Sequence, residues 1–268
     1  MKLWINEVFR ADKPLIGVVH VGPLPGSPIY NGGFEDVVEK AVRAAGVLED
    51  GGVDGVIIEN YNDKLYPKDH ADPATIVSLA VIVREVKSRL SIPIGVNVLR
   101  NCCLEALAIA YVLNCSFIRV NVYSETVASD QGIIEASAYK LQRYRRYLGA
   151  WSVRVMADVH VKHASPIGFL SIEDVARDAV ERGCADAVIV TGSRTGVAPD
   201  QSLLSRVKAC VKAPVVVGSG LNPENARVLM RVADAAIVGS YFKAGGEMPV
   251  KERVEKLARV FRELRRSV

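Results

Sequence analysis

The sequence predicts one α/β domain, a (β/α)8 TIM barrel that occupies residues 1–268, and three observations favour this fold. Eight short apolar runs recur along the chain, and an amphipathic stretch follows each of them. The runs are rich in Val and Ile without a clean alternation, as is typical of parallel strands whose two faces are both covered. No linker or change of composition divides the chain, and its 268 residues are an ordinary length for one barrel. A doubly wound open sheet is the alternative, but eight evenly spaced units favour closure.

The eight predicted strands, counted from the amino terminus, alternate with predicted helices. The strands cover residues 14–21, 54–60, 93–99, 117–123, 153–161, 186–192, 214–220 and 234–240. After the fourth strand, IIEASAYKLQRYRRYL has helical periodicity, and Ser129 or Asp130 is its predicted N-cap. VKERVEKLARVFRELRR predicts a last helix that closes the chain.

Composition and charge exclude several classes of protein. The 34 basic and 30 acidic residues nearly balance, and no separate basic block predicts nucleic-acid binding. No run approaches the roughly 18 apolar residues that a membrane span needs, and MKLWINEVFR lacks the apolar core of a signal peptide. The five cysteines lack zinc-type spacing and predict free thiols in a reducing compartment. We therefore expect a cytoplasmic protein without a transmembrane segment, and we expect it to form a homo-oligomer.

Polar residues gather where the predicted strands end, which is the face of a barrel that carries catalytic groups. In chain order these residues are His20, Glu59, Asn97, Arg100, Arg119, Asn121, Asp158, His160, Lys162 and Thr191. His70 lies in the long segment 61–73 after the second strand, which we expect to cover the same face as a lid. The concentration of these side chains predicts a site at the mouth of the barrel.

The fifth predicted strand, within ADVHVKHASP, carries the densest group of candidates. Strand alternation predicts that Asp158, His160 and Lys162 all point into the barrel mouth. Asp158 then orients His160 or keeps Lys162 charged, His160 transfers protons with Glu59 as its partner, and His163 binds a substrate hydroxyl. Two alternatives stay open: Lys162 forms a Schiff base, or Asp158 and Lys162 form a buried ion pair without chemistry.

Two glycine–serine turns predict a phosphate site. They consist of Gly218, Ser219 and Gly220 after the seventh strand and Gly239 and Ser240 after the eighth. Glycines let backbone N–H groups approach a phosphate, a helix N-terminus adds positive charge, and Lys243 lies nearby. TGSRTG, after the sixth strand, adds Arg194 and Thr195 either as ligands or as a flexible lid. The alternative is that these glycines only turn the chain.

A divalent metal ion stays open as a cofactor, and no other cofactor is predicted. His20, Glu59, Asp158, His160 and His163 are residue types that bind metals. However, the first strand lacks the H-x-H pair of metal-dependent hydrolase barrels, and H-V-K-H is not a usual ligand spacing. We therefore assign no metal ligand.

Several phrases, in order along nearly the whole chain, resemble the BtpA/SgcQ family. They include GVVHVGPLPGSP, GVIIENYND, IGVNVLRN, ADVHVKHASP, ADAVIVTG and IVGSYFKAGG. The resemblance implies a TIM barrel, and it links the chain to photosystem I biogenesis and to sugar metabolism through members of the family. Cys102 departs from the family pattern, at a position where we expect Asp. The glycine–serine turns also resemble those of the ribulose-phosphate-binding barrels.

Two functions follow as expectations. The first is an enzyme that acts on a small phosphorylated substrate, a sugar phosphate or nucleotide-like compound, as an isomerase, a lyase or a glycosidic-bond-cleaving enzyme. Its phosphate binds the glycine–serine turns, and Arg119, Asn97 and Asn121 hold hydroxyls or a carboxylate. The second is a non-catalytic assembly factor of the photosystem I biogenesis type, with a partner surface on the basic last helix. The density of polar groups at the mouth favours the first.

Overall fold

The secondary structure follows the predicted alternation of strands and helices. A computed structural model describes residues 3–266, so both ends of the predicted domain 1–268 lie outside the described residues. The strands are β1 (Leu15–His20), β2 (Gly55–Glu59), β3 (Ile94–Asn97), β4 (Phe117–Val120), β5 (Val127–Ser129), β6 (Gly132–Ile134), β7 (Arg154–Val159), β8 (Ala164–Pro166), β9 (Ala187–Val190), β10 (Val215–Val217) and β11 (Ala235–Val238). The helices are α1 (Trp4–Phe9), α2 (Phe34–Gly51), α3 (Pro73–Arg89), α4 (Cys103–Val112), α5 (Ala138–Leu148), α6 (Ile172–Arg177), α7 (Gln201–Cys210), α8 (Pro223–Leu229), α9 (Ser240–Lys243) and α10 (Lys251–Arg266).

Eight parallel strands close into a barrel in the order β1-β2-β3-β4-β7-β9-β10-β11, and β11 pairs with β1. The predicted (β/α)8 barrel is therefore confirmed. Its strands are buried on both faces, because the helices cover the outside and side chains fill the inside. Each fully buried Val, Ile or Leu contributes about 1.5–3 kcal/mol through burial, which explains the continuous apolar runs.

Helix ends follow local capping signals. Asp72 begins α3: its carboxylate accepts from the amides of Ala74 and Thr75, and Pro73 occupies the first helical position. Asn222 begins α8 in the same way, within a capping box that Asn225 completes. No helix in the described part of the chain is long and apolar enough to cross a membrane.

The amino-terminal helix α1 closes the lower end of the barrel. Ile5 and Phe9 on α1 are buried with Phe117 and the other side chains that fill this end. The Phe9 and Phe117 rings lie 5.4 Å apart. A Cβ atom on Gly95 would lie 2.2 Å from the Phe117 ring, so only glycine fits there. This helix was not predicted from the sequence.

The segment after β4 differs from its prediction. Residues 127–134 form a β-hairpin of β5 and β6, and α5 begins only at Ala138. Ser129 and Asp130 therefore do not cap the helix, and that prediction is wrong. β8, which follows the fifth barrel strand, pairs antiparallel with β5. The result is a three-stranded sheet, β6-β5-β8, outside the barrel strands.

Candidate functional site

A buried charged cluster lies at the carboxyl ends of the strands, with Arg119 at its centre. Arg119 Nε and Nη2 each donate to one Asp158 carboxylate oxygen at 3.0 Å. Asn121 Nδ2 also donates to Asp158 Oδ2, at 2.7 Å. Two-point contacts between guanidinium and carboxylate are strong and directional, so Asp158 is fixed by its neighbours on β4. The predicted Asp158–Lys162 ion pair and the predicted contact of Asp158 with His160 are not formed.

Glu59 is the second carboxylate of the cluster. The register of β1, β2 and β3 places His20, Glu59 and Asn97 side by side. Asn97 Nδ2 donates to Glu59 Oε2 at 2.6 Å, and Arg119 Nη1 lies 3.9 Å from the same oxygen. Burial alone would raise the pKa of Glu59. Arg119, Lys162 and the Asn97 hydrogen bond have a larger opposite effect, so the pKa of Glu59 lies below its ordinary value. Glu59 is therefore an ionised carboxylate at neutral pH.

His20 is a neutral imidazole between Glu59 and Lys243. Burial lowers the pKa of His20 to about 4. The Lys243 ammonium contacts Nδ1, while Nε2 lies 3.8 Å from Glu59 Oε1. Because lysine only donates, Nδ1 is the acceptor and Nε2 carries the proton. Burial also lowers the pKa of Lys243, to about 8. The ring of Tyr61 stacks on His20, with 4.4 Å between the ring centroids.

A cavity of about 610 Å³ opens above this cluster at the barrel mouth. Lys162 and Arg100 line it from one side, and Arg100 Nη2 donates to the Lys162 carbonyl at 2.7 Å. Burial lowers the pKa of the Lys162 ammonium, and Arg119 lowers it further. Tyr66 also lines the cavity, and its hydroxyl donates to the Tyr61 carbonyl. The mouth cavity is thus bordered by tyrosines and by cationic side chains.

His160 does not face the mouth, contrary to the prediction. β7 ends at Val159, and His160 adopts a left-handed backbone conformation with φ of 50°. The alternation of a strand stops at that residue, so the side chain leaves the shared face. His160 Nε2 lies 3.7 Å from Glu125 Oε2, and the His160 amide donates to Glu125 Oε1 at 2.7 Å. Burial raises the pKa of Glu125 to about 7 and lowers the pKa of His160.

Two other histidines lie nearer the surface. His163 lines the mouth cavity, and its Nε2 lies 2.9 Å from the Thr195 hydroxyl. His70 has a side chain that is 65% exposed and contacts Glu105, and it is not among the residues that line the mouth cavity. The predicted role of His163 at the mouth stays a prediction, whereas the lid segment contributes Tyr61 and Tyr66 to the cavity rather than His70.

The glycine–serine turns border two further spaces. A narrow space of about 30 Å³ is lined by the mouth residues Glu59, Tyr61, Arg119 and Lys162 and by the turn residues Gly218, Ser219, Gly220, Gly239 and Ser240. A wider cavity of about 250 Å³ lies beyond it, against Gly220, Gly239, Ser240 and the start of α9. The narrow space shares lining residues with the mouth cavity and with the wider cavity, so it lies between them.

Individual turn residues differ in how free they are to bind a ligand. The Ser219 hydroxyl donates to the Val197 carbonyl at 2.7 Å and accepts from the Gly192 amide. A Cβ atom on Gly220 would lie 2.0 Å from the Ala198 nitrogen, so part of the glycine requirement is packing. Ser240, by contrast, is exposed in the wider cavity.

Thr191 and the residues considered as metal ligands lie at the carboxyl ends of the strands, but they do not form a metal site in the described part of the chain. Thr191 is buried at the end of β9, and its hydroxyl has no hydrogen-bond partner in residues 3–266. No group of three or more His, Cys, Asp or Glu side chains in that range is arranged to hold a metal ion. Glu59 and Asp158 both contact the Arg119 guanidinium, whose permanent positive charge disfavours a divalent cation beside them.

Several contributors to the mouth were not predicted, including Tyr66, Gln131 and Glu125. Tyr66 and Gln131 line the cavity, and Glu125 holds the backbone where β7 ends. Tyr66 lies in the segment predicted as a lid, so its aromatic ring was the available signal. Gln131 lies in the turn of the β5–β6 hairpin, and a helix prediction for this segment concealed it.

The fold and the cluster define a (β/α)8-barrel protein with a polar site at the carboxyl ends of its strands. The chain belongs to the BtpA family, whose model matches residues 11–263. It is 48% identical to an uncharacterised protein of Pyrococcus abyssi, across 95% of this chain and 98% of that protein. It is 41% identical to the photosystem I biogenesis protein BtpA of Synechocystis, across 90% of this chain and 84% of BtpA.

Solved structures of enzymes share the barrel at low sequence identity. Tryptophan synthase of Mycobacterium tuberculosis matches with a TM-score of 0.63 and 17% identity, over 98% of this chain and 99% of that one. Thiamine phosphate pyrophosphorylase of Pyrococcus furiosus matches with a TM-score of 0.58 and 16% identity, over 94% and 96% of the two chains. These likenesses establish the fold.

Proposed function

We propose that the protein is an enzyme that acts on a small phosphorylated metabolite, a sugar phosphate or nucleotide-like compound, by acid–base chemistry at the barrel mouth. The observation that carries the proposal is that the three spaces described above lie next to one another, each sharing lining residues with the next. Their glycine-lined end suits a phosphate, and their other end carries Glu59 and Lys162. A substrate that spans them has its phosphate at the loops that phosphate-binding barrels use and its remaining carbons beside titratable groups.

The chemistry falls to Glu59 and Lys162. Glu59 is an ionised carboxylate that borders both the mouth cavity and the narrow space, which suits a base. Burial lowers the pKa of Lys162, so its ammonium releases a proton more readily than a surface lysine. The same property suits Schiff-base formation with a carbonyl substrate. Isomerisation, carbon–carbon cleavage and glycosidic cleavage all use such a pair.

Isothermal titration of the full chain with phosphate, ribose 5-phosphate, fructose 6-phosphate and AMP tests binding. Ser240 is exposed in the wider cavity, so Ser240→Glu adds a negative charge there without a loss of packing. We expect Ser240→Glu to bind at least about tenfold more weakly than Ser240→Gln, because the two side chains are of equal size and only Glu repels a phosphate. The proposal fails if no phosphorylated compound binds or if Ser240→Glu has no effect.

Product formation in the same mixtures is followed by NMR. We expect Lys162→Gln to abolish the conversion of a substrate even at concentrations that saturate the site, because the amide neither transfers a proton at neutral pH nor forms a Schiff base. Borohydride trapping of a covalent adduct on Lys162 separates the two roles of this residue. An unchanged rate in Lys162→Gln contradicts its part in the chemistry.

The relationship to a photosystem I biogenesis protein supports a second candidate, a non-catalytic assembly factor. Exposed apolar side chains at Ile167, Phe169 and Leu170, beside β8, offer a contact surface for such a role. The last helix offers less, because Val254 and Phe261 pack it onto the barrel layer and Arg265 binds Asp54. If no phosphorylated compound binds in the titration and no product forms in the NMR assay, the assembly-factor role is favoured.

We also propose a cytoplasmic location and a homo-oligomeric state. All five cysteines are free thiols, which supports a reducing compartment. Val77 on α3 and Val112 on α4 are 63% and 73% exposed, which supports a partner copy over these helices. Light scattering coupled to size exclusion measures the oligomeric state directly.

A further inference from the structure

Two cationic side chains at the mouth lack a counter-ion. Arg100 is 6% exposed, and neither Arg100 nor Lys162 forms an ion pair with a carboxylate in residues 3–266. Arg100 Nε is buried without any hydrogen-bond acceptor. Glu59 and Asp158, the buried carboxylates of the cluster, are held by Arg119. Buried charges are ordinarily paired, so this arrangement leaves positive charge uncompensated.

The two cations also repel one another and their neighbours. Burial, Arg119 and Arg100 lower the pKa of Lys162; Glu59 and Asp158 raise it, but the net pKa stays below its ordinary value. Burial lowers the pKa of Arg100, and Asp158, Asp130 and Glu59 all act to raise it, but Asp158 and Glu59 are held by Arg119. Asp130 is exposed in the hairpin turn, and its Oδ2 accepts from Gln131 at 2.6 Å. Both side chains line the mouth cavity, so their positive charge faces the space that a substrate would enter.

We infer that Arg100 and Lys162 form a second anion subsite, so that the substrate carries an acidic group, a carboxylate or a second phosphate, opposite its first phosphate. The inference rests on the proposed function and narrows its substrate class to doubly anionic metabolites. Arg119 and Asn121, predicted to hold a carboxylate, are already engaged by Asp158, whereas Arg100 retains unused donors. Guanidinium donors and a nearby ammonium recognise either acidic group.

Matched compounds of equal length test the inference by isothermal titration. 6-Phosphogluconate and sorbitol 6-phosphate differ only in a terminal carboxylate against a hydroxymethyl group. Fructose 1,6-bisphosphate and fructose 6-phosphate supply the corresponding phosphate comparison. We expect the full chain to prefer the acidic member of at least one pair about tenfold or more, and the pair that shows the preference identifies the group.

Variants locate the preference. In Arg100→Gln we expect the ratio of the two affinities to fall to within about twofold of unity, because the acidic compound loses its guanidinium partner. Arg262→Gln, an exposed position on α10, makes the same substitution away from the mouth and keeps the ratio. Equal binding within both pairs by the natural protein, or an unchanged ratio in Arg100→Gln, overturns the inference.

The outcomes separate this inference from the proposed function. If no phosphorylated compound binds, the proposed function fails, and gluconate against sorbitol then tests the subsite alone by NMR titration. Gluconate binding that Arg100→Gln abolishes upholds the subsite, and its absence overturns both. Lys162→Met needs no ligand: we expect it to raise the Tm of the free protein, because it removes an unpaired cation with little change of shape. A lowered Tm counts against an uncompensated charge.

Discussion

At the scale of single residues, the guanidinium of Arg119 joins two carboxylates that the sequence places on different strands. Asp158 on β7 and Glu59 on β2 both contact it, and all three side chains are buried. The charges therefore depend on one another more than on water. Removal of one member leaves the others buried without a partner, which costs more than the lost contacts alone.

Arg119→Met therefore destabilises the protein strongly. We expect a loss of about 3–5 kcal/mol in the free energy of unfolding, measured by urea titration. The double variant Arg119→Met/Asp158→Asn serves as the control and recovers part of this loss, because it also removes one of the stranded charges. A loss below about 1 kcal/mol in Arg119→Met shows that water reaches the cluster and contradicts its burial.

Glu125 and His20 make stability depend on pH in opposite directions. Burial raises the pKa of Glu125 from 4.5 to about 7, so the folded protein binds this proton where the unfolded chain has released it. The contribution of Glu125 is then fully present below pH 4.5 and falls as pH rises towards 7. Burial lowers the pKa of His20 from 6.5 to about 4, so the unfolded chain binds the extra proton, and the contribution of His20 rises between pH 4 and 6.5.

Urea unfolding between pH 4.5 and 7.5 separates these contributions. The free energy of unfolding of the natural protein minus that of Glu125→Gln falls with pH, by up to about 1.4 kcal/mol per unit. The corresponding difference for His20→Gln rises with pH. Slopes of the same sign in both variants contradict the burial of one of the two groups.

At the scale of elements, the lower end of the barrel depends on a glycine in β3. Gly95→Ala places a Cβ atom 2.2 Å from the Phe117 ring, and backbone or ring must shift to accommodate it. We expect a loss of about 1–3 kcal/mol in the free energy of unfolding.

Gly46→Ala on α2 is the matched control for that substitution. Apart from the chain neighbours and the backbone of its own helix, no atom lies within 4 Å of the new Cβ at this position. Alanine there should stabilise the helix by about 0.5–1 kcal/mol, because it lowers the entropy of the unfolded chain. Equal effects of the two substitutions on urea unfolding contradict the packing of Phe117 against β3.

Elements were predictable from sequence where a long periodic signal carried them. The Val- and Ile-rich runs such as that of β2, buried on both faces, define the barrel without further information. β5 and β6 are three residues each and their apolar pattern also fits a helix, so periodicity alone assigned this segment wrongly. The helix α1 is short and its sequence carries no strong helical signal. Tertiary packing against the lower end of the barrel stabilises it.

The site was predictable as a location but not as a set of contacts. The carboxyl ends of parallel strands converge, so Glu59, Arg119 and Asp158 could be placed together from spacing alone. Which carboxylate binds which cation depends on side-chain reach across the barrel. His160 was misplaced for a backbone reason, since the pattern of alternation does not reveal that β7 ends at Val159, two residues before the predicted end of this strand.

At the scale of the whole molecule, the barrel has two chemically different ends. Polar and charged groups gather at the carboxyl ends of the strands, while aromatic and aliphatic side chains fill the other end. The arrangement separates the groups that stabilise the fold from those that carry the proposed chemistry. Substitutions at the upper end are therefore expected to alter binding with less effect on folding, except within the Arg119 cluster.

The packing of α1 against the lower end of the barrel limits the route by which a small molecule can reach the site. Ile5 and Phe9 fill the lower end of the barrel, so a substrate and its product would both have to pass through the mouth. A product that stays bound at the mouth prevents the next substrate from binding. Under the proposed enzymatic function, we therefore expect the product to inhibit the reaction in direct competition with the substrate.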